Sequence, residues 1–360
     1  MSHYRIAVIP GDGVGPEVIA EGKKVLNTLS DLSCGSFSFE YQEFDWGSNY
    51  YRAHGRMMSE NGLSQVADAD AIFFGAVGDP QIQDHITLNG LILPIRRTFD
   101  QYACVRPSYL YPGVTSPLSG KQPGDIDLIV VRENTEGEYA NIGGRLYNET
   151  DHEVAVQTAI FTRRGTERVI RYAFQLARQR NKKRKVTSVT KSNAQGYGMV
   201  FWDEVFRRVA GEFPDIQTES LLVDAACMDF IRRPQDFDVV VASNLFGDIL
   251  TDIGAIIVGS MGMAPSANMN PERRSPSMFE PVHGSAYDIA GRGIANPLAT
   301  ILSAAMMLDF LGEHEGAQLI HRAVEENLRE GRIRTPDLGG QSTTCEVGED
   351  IVRILKVGGL

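Results

Sequence analysis

Two aspartates on one predicted helix are the first residues that could carry out chemistry. The segment SNLFGDILTDIGA follows an apolar strand and contains Asp248 and Asp252, four positions apart. This spacing places both carboxylates on one helix face, about one turn apart, where they could bind Mg²⁺ or Mn²⁺. Alternatively, they are acids that favour a helix N-terminus. Asp224, after the apolar segment LLV, is a third candidate ligand or a helix cap.

Arginines form a second group of candidates. Arg96 lies on a predicted helix, Arg106 begins an extended stretch and Arg132 ends a predicted strand. The planar guanidinium fork matches a carboxylate, so several converging arginines predict a di- or tricarboxylic acid ligand, whereas each taken singly could form a surface ion pair. Lys191, at the end of VTSVTK, and Tyr139 are candidates for a base and an acid near the metal.

Two glycine-rich segments could contact a nucleotide. In VIPGDGVGPE the glycines are Gly11, Gly13 and Gly15, and Pro16 stands where a dinucleotide fingerprint needs its third glycine. This segment therefore predicts a tight strand-to-helix turn without a phosphate. In FEPVHGSAYDIAGRGIANP, residues 279–297, small residues allow close backbone approach, and Asp288 could accept hydrogen bonds from a ribose diol. The alternative is an ordered loop without a ligand.

Alternating β-rich and helical segments must position these residues. Nearly continuous apolar runs predict buried parallel strands at 5–10, 70–78, 127–134, 185–191 and 237–244. Helical periodicity occurs between them, for example in 166–180 and 200–213. The pattern predicts a layered α/β fold. The Pro-, Gly- and Ser-rich segment 108–125 predicts a loop near a lobe boundary.

Composition restricts the class of protein. The chain has 360 residues, enough for two lobes, and a formal charge of −11, which argues against nucleic acid or an anionic membrane as the main partner. The cation-rich run RQRNKKRK (178–185) predicts a solvated helix end or, alternatively, a nucleic-acid patch. The four cysteines are too widely spaced to indicate a zinc site or a disulfide framework, and no run reaches membrane length. We expect a cytoplasmic protein.

Five segments together carry a family resemblance: IPGDGVGPE, VRENTEGEY, TKSN, NLFGDILTD and EPVHGSAYDIAGRGIANP. They resemble the metal-dependent β-decarboxylating dehydrogenases of 2-hydroxy acids, which include isopropylmalate, isocitrate and homoisocitrate dehydrogenases. Three further segments are most similar to the tartrate/D-malate branch: FDWGSNYYRAHGRMM, DHITLNGLILPIRRTFDQYACVRP and APSANMNPERRSPSMFEPVHGSA. The implied fold is the two-lobed isopropylmalate-dehydrogenase fold, an α/β fold with a large twisted mixed sheet flanked by helices, which is not a Rossmann fold.

The same resemblance implies an arrangement of the lobes. Residues 1–101 and 259–360 are expected to form the larger lobe with the NAD-binding loop, and 102–258 the smaller lobe with the metal site and dimer interface. Active sites are expected to be shared within a homodimer. The implied cofactors are NAD and Mn²⁺ or Mg²⁺, and a monovalent cation such as K⁺ is a further candidate.

Roles for the candidate residues also follow from the resemblance. The implied ligands of the substrate carboxylates are Arg96, Arg106 and Arg132. The implied metal ligands are Asp224, Asp248 and Asp252. Lys191 is the implied base and Tyr139 the implied acid, with Lys191 and Asp224 coming from the partner subunit. The residues implied to contact NAD are Asn193, His283, Gly284, Ser285, Ala286, Asp288 and Asn296.

The function implied is oxidation, with or without decarboxylation, of a small 2-hydroxy dicarboxylic acid. Tartrate and D-malate are the expected substrates, and D-malate would yield pyruvate, CO₂ and NADH. In the isocitrate enzymes that the chain resembles, polar side chains before the first arginine contact the third carboxylate. The corresponding residues 90–93 are Gly-Leu-Ile-Leu here, so the resemblance disfavours isocitrate. The apolar Ile92–Leu93 pair would also suit an isopropyl group, so 3-isopropylmalate is the alternative substrate. A more remote alternative is a non-catalytic protein that binds a metal–carboxylate complex.

Overall fold

The structure, a computed structural model, describes residues 2–358. Its strands are β1 (Ser2–Gly11), β2 (Phe37–Glu43), β3 (Ala71–Ala76), β4 (Ala103–Tyr109), β5 (Asp127–Glu133), β6 (Gly137–Leu146), β7 (Val154–Ile160), β8 (Lys185–Thr190), β9 (Gln217–Leu222), β10 (Val239–Ala242), β11 (Pro265–Met269) and β12 (Ser277–Pro281). Its α-helices are α1 (Gly15–Leu32), α2 (Ser48–His54), α3 (Gly62–Val66), α4 (Asp84–Thr87), α5 (Leu93–Thr98), α6 (Arg163–Arg180), α7 (Gly198–Ala210), α8 (Val223–Arg232), α9 (Asn244–Ile257), α10 (Leu298–Leu311), α11 (His314–Glu330) and α12 (Thr344–Gly358).

These elements form two compact units. The larger unit contains the residues up to Gln101, Val105–Ile126 and the chain from Gly254 onward, and the smaller contains Tyr102–Cys104 and Asp127–Ile253. Residues 105–126 and 254–258 belong to the larger unit, whereas the family resemblance implied that they lie in the smaller lobe. Within residues 2–358, no helix is both long and apolar enough to cross a membrane.

The larger unit has a mixed sheet covered by helices. Its strand order is β2-β1-β3-β12-β11-β4, with β1 parallel to β2 and β3, and β11 antiparallel to β12. All six residues of β3 are buried, as expected for a strand covered on both faces. Helix α10 is apolar on nearly every side and lies in the main core, which includes Phe73, Phe279 and Leu302.

The smaller unit has a parallel sheet in the order β5-β10-β8-β9. Helices α6 and α7 pack beside it, and Phe174 of α6 stacks on Phe213 with ring centroids 5.0 Å apart. Strands β6 and β7 form a separate antiparallel ribbon. Because all four sheet strands are parallel, their carboxyl ends lie along one edge of the sheet, where parallel α/β sheets bind ligands.

The strands and helices expected from hydrophobic periodicity are confirmed. The five predicted apolar runs correspond to β1, β3, β5, β8 and β10, and the two helical segments to α6 and α7. The loop predicted at 108–125 is confirmed over 110–125, whereas Ser108 and Tyr109 are the last residues of β4. The predicted α/β class with a large mixed sheet is therefore correct.

Candidate active site

The carboxyl edge of the smaller unit's sheet brings several candidate residues to the ends of neighbouring strands. Arg132 of β5 is in register with Ala242, which lies two positions before Asn244, the first residue of α9. Thr190 of β8 is in register with Leu222 of β9, so Lys191 and helix α8 follow adjacent strands. The strand register therefore places Arg132 near Asn244, and Lys191 near the start of α8.

Arg132 is the centre of a buried hydrogen-bond network. Its side chain is 2 % exposed, and its Nε and Nη2 donate to Asn244 Oδ1 over 3.0 and 2.6 Å. Its Nη1 donates to Asp248 Oδ1. Gly247 permits this approach, because a Cβ there would lie 2.6 Å from the Arg132 Cβ. The network fixes a guanidinium beside a carboxylate that is itself 35 % exposed.

Tyr139 joins the same network. Its hydroxyl donates to Asp248 Oδ2 over 2.9 Å, and its ring lies beside the guanidinium of Arg132. Burial and the negative charge of Asp248 raise the pKa of Tyr139 above its usual value. The phenol is therefore protonated at neutral pH and can act as a proton donor.

The chemistry of the donor set on α9 fits a divalent metal ion. Asp248 and Asp252 lie one helical turn apart, Asp252 is exposed, and carboxylate oxygens are the ligands that Mg²⁺ and Mn²⁺ prefer. Within residues 2–358, however, no three His, Cys, Asp or Glu side chains converge as a metal site. Within one chain, Asp248 and Asp252 therefore share a helix, but Asp224 does not join them to form a three-carboxylate site.

Lys191 and Asp224 form a separate pair. Lys191 Nζ donates to Asp224 Oδ1 over 2.6 Å, and the two side chains are 28 % and 59 % exposed. The ammonium group lowers the pKa of Asp224 below its usual value. Asn193, predicted to lie near the nicotinamide, is exposed two residues after Lys191. The pair therefore presents a lysine and an ionised carboxylate at an accessible surface.

The other two predicted substrate arginines lie in the larger unit. Arg96 Nη2 donates to Glu280 Oε1 over 2.7 Å, and that oxygen also accepts a hydrogen bond from Asn268 Nδ2. Arg106 Nε donates to Ser266 Oγ over 3.3 Å. Both arginines are buried. Neither Glu280 nor Asn268 was predicted as a site residue, although Glu280 lies in the segment FEPVHGSA.

The opening glycines are explained by close backbone packing. A Cβ on Gly11 would lie 1.8 Å from the Ala76 carbonyl oxygen, and one on Gly13 would lie 1.9 Å from that of Ser285. Both glycines have positive φ angles, and Val14 N–H donates to the Ser285 carbonyl over 2.8 Å. The glycine turn therefore supports the 283–296 loop directly, which accounts for its glycines without a bound phosphate.

Two carboxylates anchor the 283–296 loop on either side of Asp288. Asp79 accepts hydrogen bonds from Arg52 and the Gln81 N–H, and its interaction with the Tyr287 hydroxyl of the loop lowers the pKa of Asp79 and raises that of Tyr287. Glu17 Oε1 accepts the Gly291 N–H over 2.6 Å. The intervening Asp288 is exposed. An anchored loop with an exposed carboxylate and open backbone at Gly284 fits the ribose and phosphates of a dinucleotide.

Other predicted cofactor residues have contacts of their own. The imidazole Nδ1 of His283 lies 2.9 Å from the Gly284 carbonyl, and desolvation lowers the pKa of His283, which favours the neutral ring. Ala286 has a φ of 41°, an uncommon conformation for a residue with a side chain. Asn296 is buried, donates to Asp337 and accepts the Leu298 N–H at the start of α10. Within the chain, Asn296 thus holds the end of the loop.

The basic run 178–185 lies among acidic partners. Arg178 and Arg184 both bind Asp215, and Arg180 and Lys182 both bind Asp127. Lys185 binds Glu219 over 2.7 Å. These ion pairs favour the interpretation of the run as a solvated helix end over a nucleic-acid patch.

Glu133, next to Arg132, makes the stability of the protein depend on pH. Its buried carboxylate accepts hydrogen bonds from Thr135 and the Glu136 N–H, and burial raises its pKa from 4.5 to about 7. The folded state therefore binds the proton more tightly, and this stabilisation is lost as the pH rises from 4.5 through about 7. The loss corresponds to about 3 kcal/mol at most.

Glu133→Gln should remove this dependence. As the pH rises from 4.5 to about 7, we expect the unfolding temperature of the wild type to fall relative to that of the variant. Glu204→Gln, which changes an exposed carboxylate on α7, is the control and should titrate like the wild type. Identical pH profiles for the wild type and Glu133→Gln would contradict the assignment.

The fold and these clusters define a class of protein: an α/β protein with buried arginines, two carboxylates one turn apart on a helix, and a glycine-rich loop held by the opening glycine turn. The chain matches the isocitrate/isopropylmalate dehydrogenase family over residues 5–351, and it belongs to that family. It is an oxidoreductase.

Named relatives cover almost the whole chain. A probable tartrate dehydrogenase/decarboxylase of Agrobacterium vitis is 53% identical over 98% of this chain and 97% of its own. The decarboxylating D-malate dehydrogenase of Escherichia coli K12 is 51% identical over 99% of each chain. The crystal structure of isocitrate dehydrogenase from Methylococcus capsulatus superposes with a TM-score of 0.88 at 36% identity, covering 98% of this chain and 99% of that one. The family resemblance predicted from the motifs is confirmed.

Proposed function

We propose that this protein catalyses the NAD- and divalent-metal-dependent oxidation of tartrate, D-malate or both, with decarboxylation of D-malate to pyruvate. The observation that carries the proposal is the network of Arg132, Asp248 and Tyr139. It holds a buried guanidinium, a carboxylate and a phenol in mutual contact, which we assign to substrate binding, metal binding and proton donation. The names of the relatives in Agrobacterium vitis and Escherichia coli support the substrate class.

Arg96, Arg106 and Arg132 are proposed to bind the two substrate carboxylates. Each is buried and held by a polar partner, so its guanidinium is fixed before the substrate arrives. Such preorganisation reduces the free energy lost on binding. Three guanidinium groups offer enough hydrogen-bond donors for both carboxylates of a dicarboxylic acid.

The metal is proposed to bind Asp248, Asp252 and the partner subunit's Asp224, and NAD to bind along 283–296. A bound metal would polarise the substrate's hydroxyl and carboxylate oxygens, and bound NAD would provide the hydride acceptor. The exposed Asp288 is suited to a ribose diol and would repel a 2′-phosphate, so we propose NAD as the cofactor.

The chain's own residues are proposed to move the protons. Lys191, acting as the neutral amine, accepts the proton of the C2 hydroxyl as C2 is oxidised. The 3-carboxy-2-keto acid formed from D-malate then loses CO₂, and Tyr139, protonated at neutral pH, delivers a proton to C3. Tartrate carries a hydroxyl at C3, so its oxidation can end before or after loss of CO₂.

A homodimer with shared sites is part of the proposal. Apolar side chains are exposed on α8 (Met228 and Ile231) and on α9 (Ile249 and Ile256), beside the proposed metal ligands of each helix. The β6–β7 ribbon also exposes apolar side chains, and two strands alone are marginally stable in water. A second subunit covering these surfaces would bury them and could supply the third carboxylate.

The side chains of residues 91–93 bear on the choice of acid. Leu91 and Ile92 are buried in a core cluster of the larger unit, and Leu93 is 7 % exposed. Their packing inside the protein favours a small acid, whereas 3-isopropylmalate would need apolar surface for its branched side chain. 3-Isopropylmalate is retained as the alternative substrate.

The test is NADH formation with D-malate, L-tartrate, meso-tartrate and 3-isopropylmalate, each with Mn²⁺ and then with excess chelator. We expect chelator-sensitive turnover of D-malate or a tartrate. Turnover of 3-isopropylmalate alone would overturn the substrate assignment. Binding of metal and acid without turnover would indicate the non-catalytic binding protein.

Loosening the anchor of the 283–296 loop should weaken cofactor binding selectively. Asp79→Asn weakens the hydrogen bond from Arg52 and the interaction with Tyr287, so we expect the KM for NAD to rise roughly tenfold, with the KM for the acid unchanged. Tyr287→Phe should have a smaller effect in the same direction. Asp68→Asn, an exposed carboxylate of the same unit, is the control. Equal rises in both KM values would argue against the role of this loop.

A further inference from the structure

Glu138 precedes Tyr139 on β6, and its carboxylate reaches the start of helix α9. Ser243 Oγ donates to Glu138 Oε1 over 2.8 Å, and the Leu245 N–H donates to Oε2 over 3.1 Å. A serine just before a helix ordinarily accepts an N–H of the first turn itself. Here the Ser243 hydroxyl is a donor, and a carboxylate from another element accepts the helix N–H.

The chain around Glu138 holds α9 at a second point. Asn244 Nδ2 donates to the Glu136 carbonyl over 3.1 Å, while Asn244 Oδ1 accepts two hydrogen bonds from Arg132. Gly137 has a φ of 73°, and a Cβ there would lie 3.2 Å from the Asn244 Cβ. The turn that leads into β6 therefore lies against the first residue of α9.

An irregularity in β6 lets two consecutive side chains reach the same helix. Adjacent side chains of a regular strand point to opposite faces. The pairing of β6 with β7 shifts register between Gly137 and Ile142, and shifts of this kind redirect side chains next to active sites. Glu138 thus contacts the N-terminus of α9 while Tyr139 contacts Asp248, one turn further along.

We propose that Glu138 is a positioning residue, which fixes the first turn of α9 against β6 and thereby sets the Tyr139–Asp248 contact and the orientation of the metal-binding carboxylates. The inference rests on the proposed function. A negative charge at the N-terminus also complements the helix dipole, so the carboxylate is favoured over a neutral acceptor. Glu138 itself contacts neither substrate nor metal in this scheme.

Glu136 provides a matched control on the same turn. Its carboxylate accepts the Thr162 N–H over 2.8 Å and the Thr162 hydroxyl over 2.7 Å, at the start of α6 instead of α9. Loss of either carboxylate therefore removes two comparable hydrogen bonds at a helix start. Only loss of Glu138 is expected to affect the residues on α9.

The experiment measures Mn²⁺ binding by electron paramagnetic resonance, together with kcat and both KM values, for Glu138→Ala, Glu138→Gln and Glu136→Ala. We expect Glu138→Ala to weaken Mn²⁺ binding and lower kcat, each by roughly tenfold or more, with the KM for NAD unchanged. Glu138→Gln should recover part of both losses, and Glu136→Ala should retain both properties.

Two results would overturn the inference, and they are distinguishable. If the wild type binds Mn²⁺ and turns over an acid while Glu138→Ala matches Glu136→Ala in both properties, Glu138 is only a structural cap. If the wild type binds no Mn²⁺ and oxidises none of the acids, the proposed function fails and the positioning role fails with it. Circular dichroism at the assay temperature verifies that each variant is folded.

Discussion

Lys191→Ala is expected to lower kcat by about 10²- to 10⁴-fold, the usual contribution of a positioned general base. Lys191 follows strand β8, is 28 % exposed and contacts Asp224, so its amine lies next to a proposed metal ligand at an accessible edge of the sheet. The measurement is the initial rate of NADH formation at saturating D-malate and Mn²⁺. Binding of NAD and Mn²⁺ should persist, because the substitution leaves the proposed NAD-binding loop 283–296 and the proposed metal-binding carboxylates unchanged.

A second substitution separates the base from the ion pair. Lys191→Arg preserves the positive charge beside Asp224, but a guanidinium remains protonated and cannot accept a proton. We therefore expect Lys191→Arg to be as inactive as Lys191→Ala. Lys182→Ala, an ion-paired surface lysine of the same unit, is the control and should be fully active. Substantial turnover by the arginine variant would show that Lys191 acts only through its charge.

Mixed dimers of two inactive variants are expected to regain activity. Tyr139→Phe removes the proposed acid and Lys191→Ala the proposed base. If each site combines Tyr139 of one subunit with Lys191 of the other, a mixed dimer contains one site with both residues intact. Unfolding and refolding the two variants together should therefore restore NADH formation far above either variant alone.

The result depends on where the two residues meet. Within one chain, Tyr139 contacts Asp248 whereas Lys191 contacts Asp224, and no three-ligand metal group is found in residues 2–358. Each variant unfolded and refolded alone is the control for how much activity refolding itself restores. If the mixture stays as inactive as its parents although mixed dimers form, the active site lies within one subunit and the proposal of shared sites is wrong.

Much of the candidate site could be predicted because its residues lie at or just after the carboxyl ends of strands. Strongly apolar runs identified β5, β8 and β10, and the candidates Arg132, Lys191 and Asp248 lie at or after their carboxyl ends. The four-residue spacing of Asp248 and Asp252 correctly placed both on one helix. These features depend on local periodicity, which the sequence records directly.

Pairings between distant residues could not be predicted in the same way. Arg132 and Asp248 were assigned to substrate and metal separately, yet they contact each other across 116 positions. The hydrogen bonds of Asn244 and Glu138 depend on how β6 meets α9, which no local pattern specifies. The glycines of the opening turn were expected to form a tight turn, but their packing against Ser285 required the tertiary structure.

A product balance for D-malate tests the proposed oxidative decarboxylation most directly. Purified protein is incubated with D-malate, NAD and Mn²⁺, and NADH, pyruvate and CO₂ are quantified in the same reaction. We expect equal amounts of the three products, and none of them when a chelator removes the metal. NADH without pyruvate and CO₂, or undiminished turnover in the presence of chelator, would contradict the proposal.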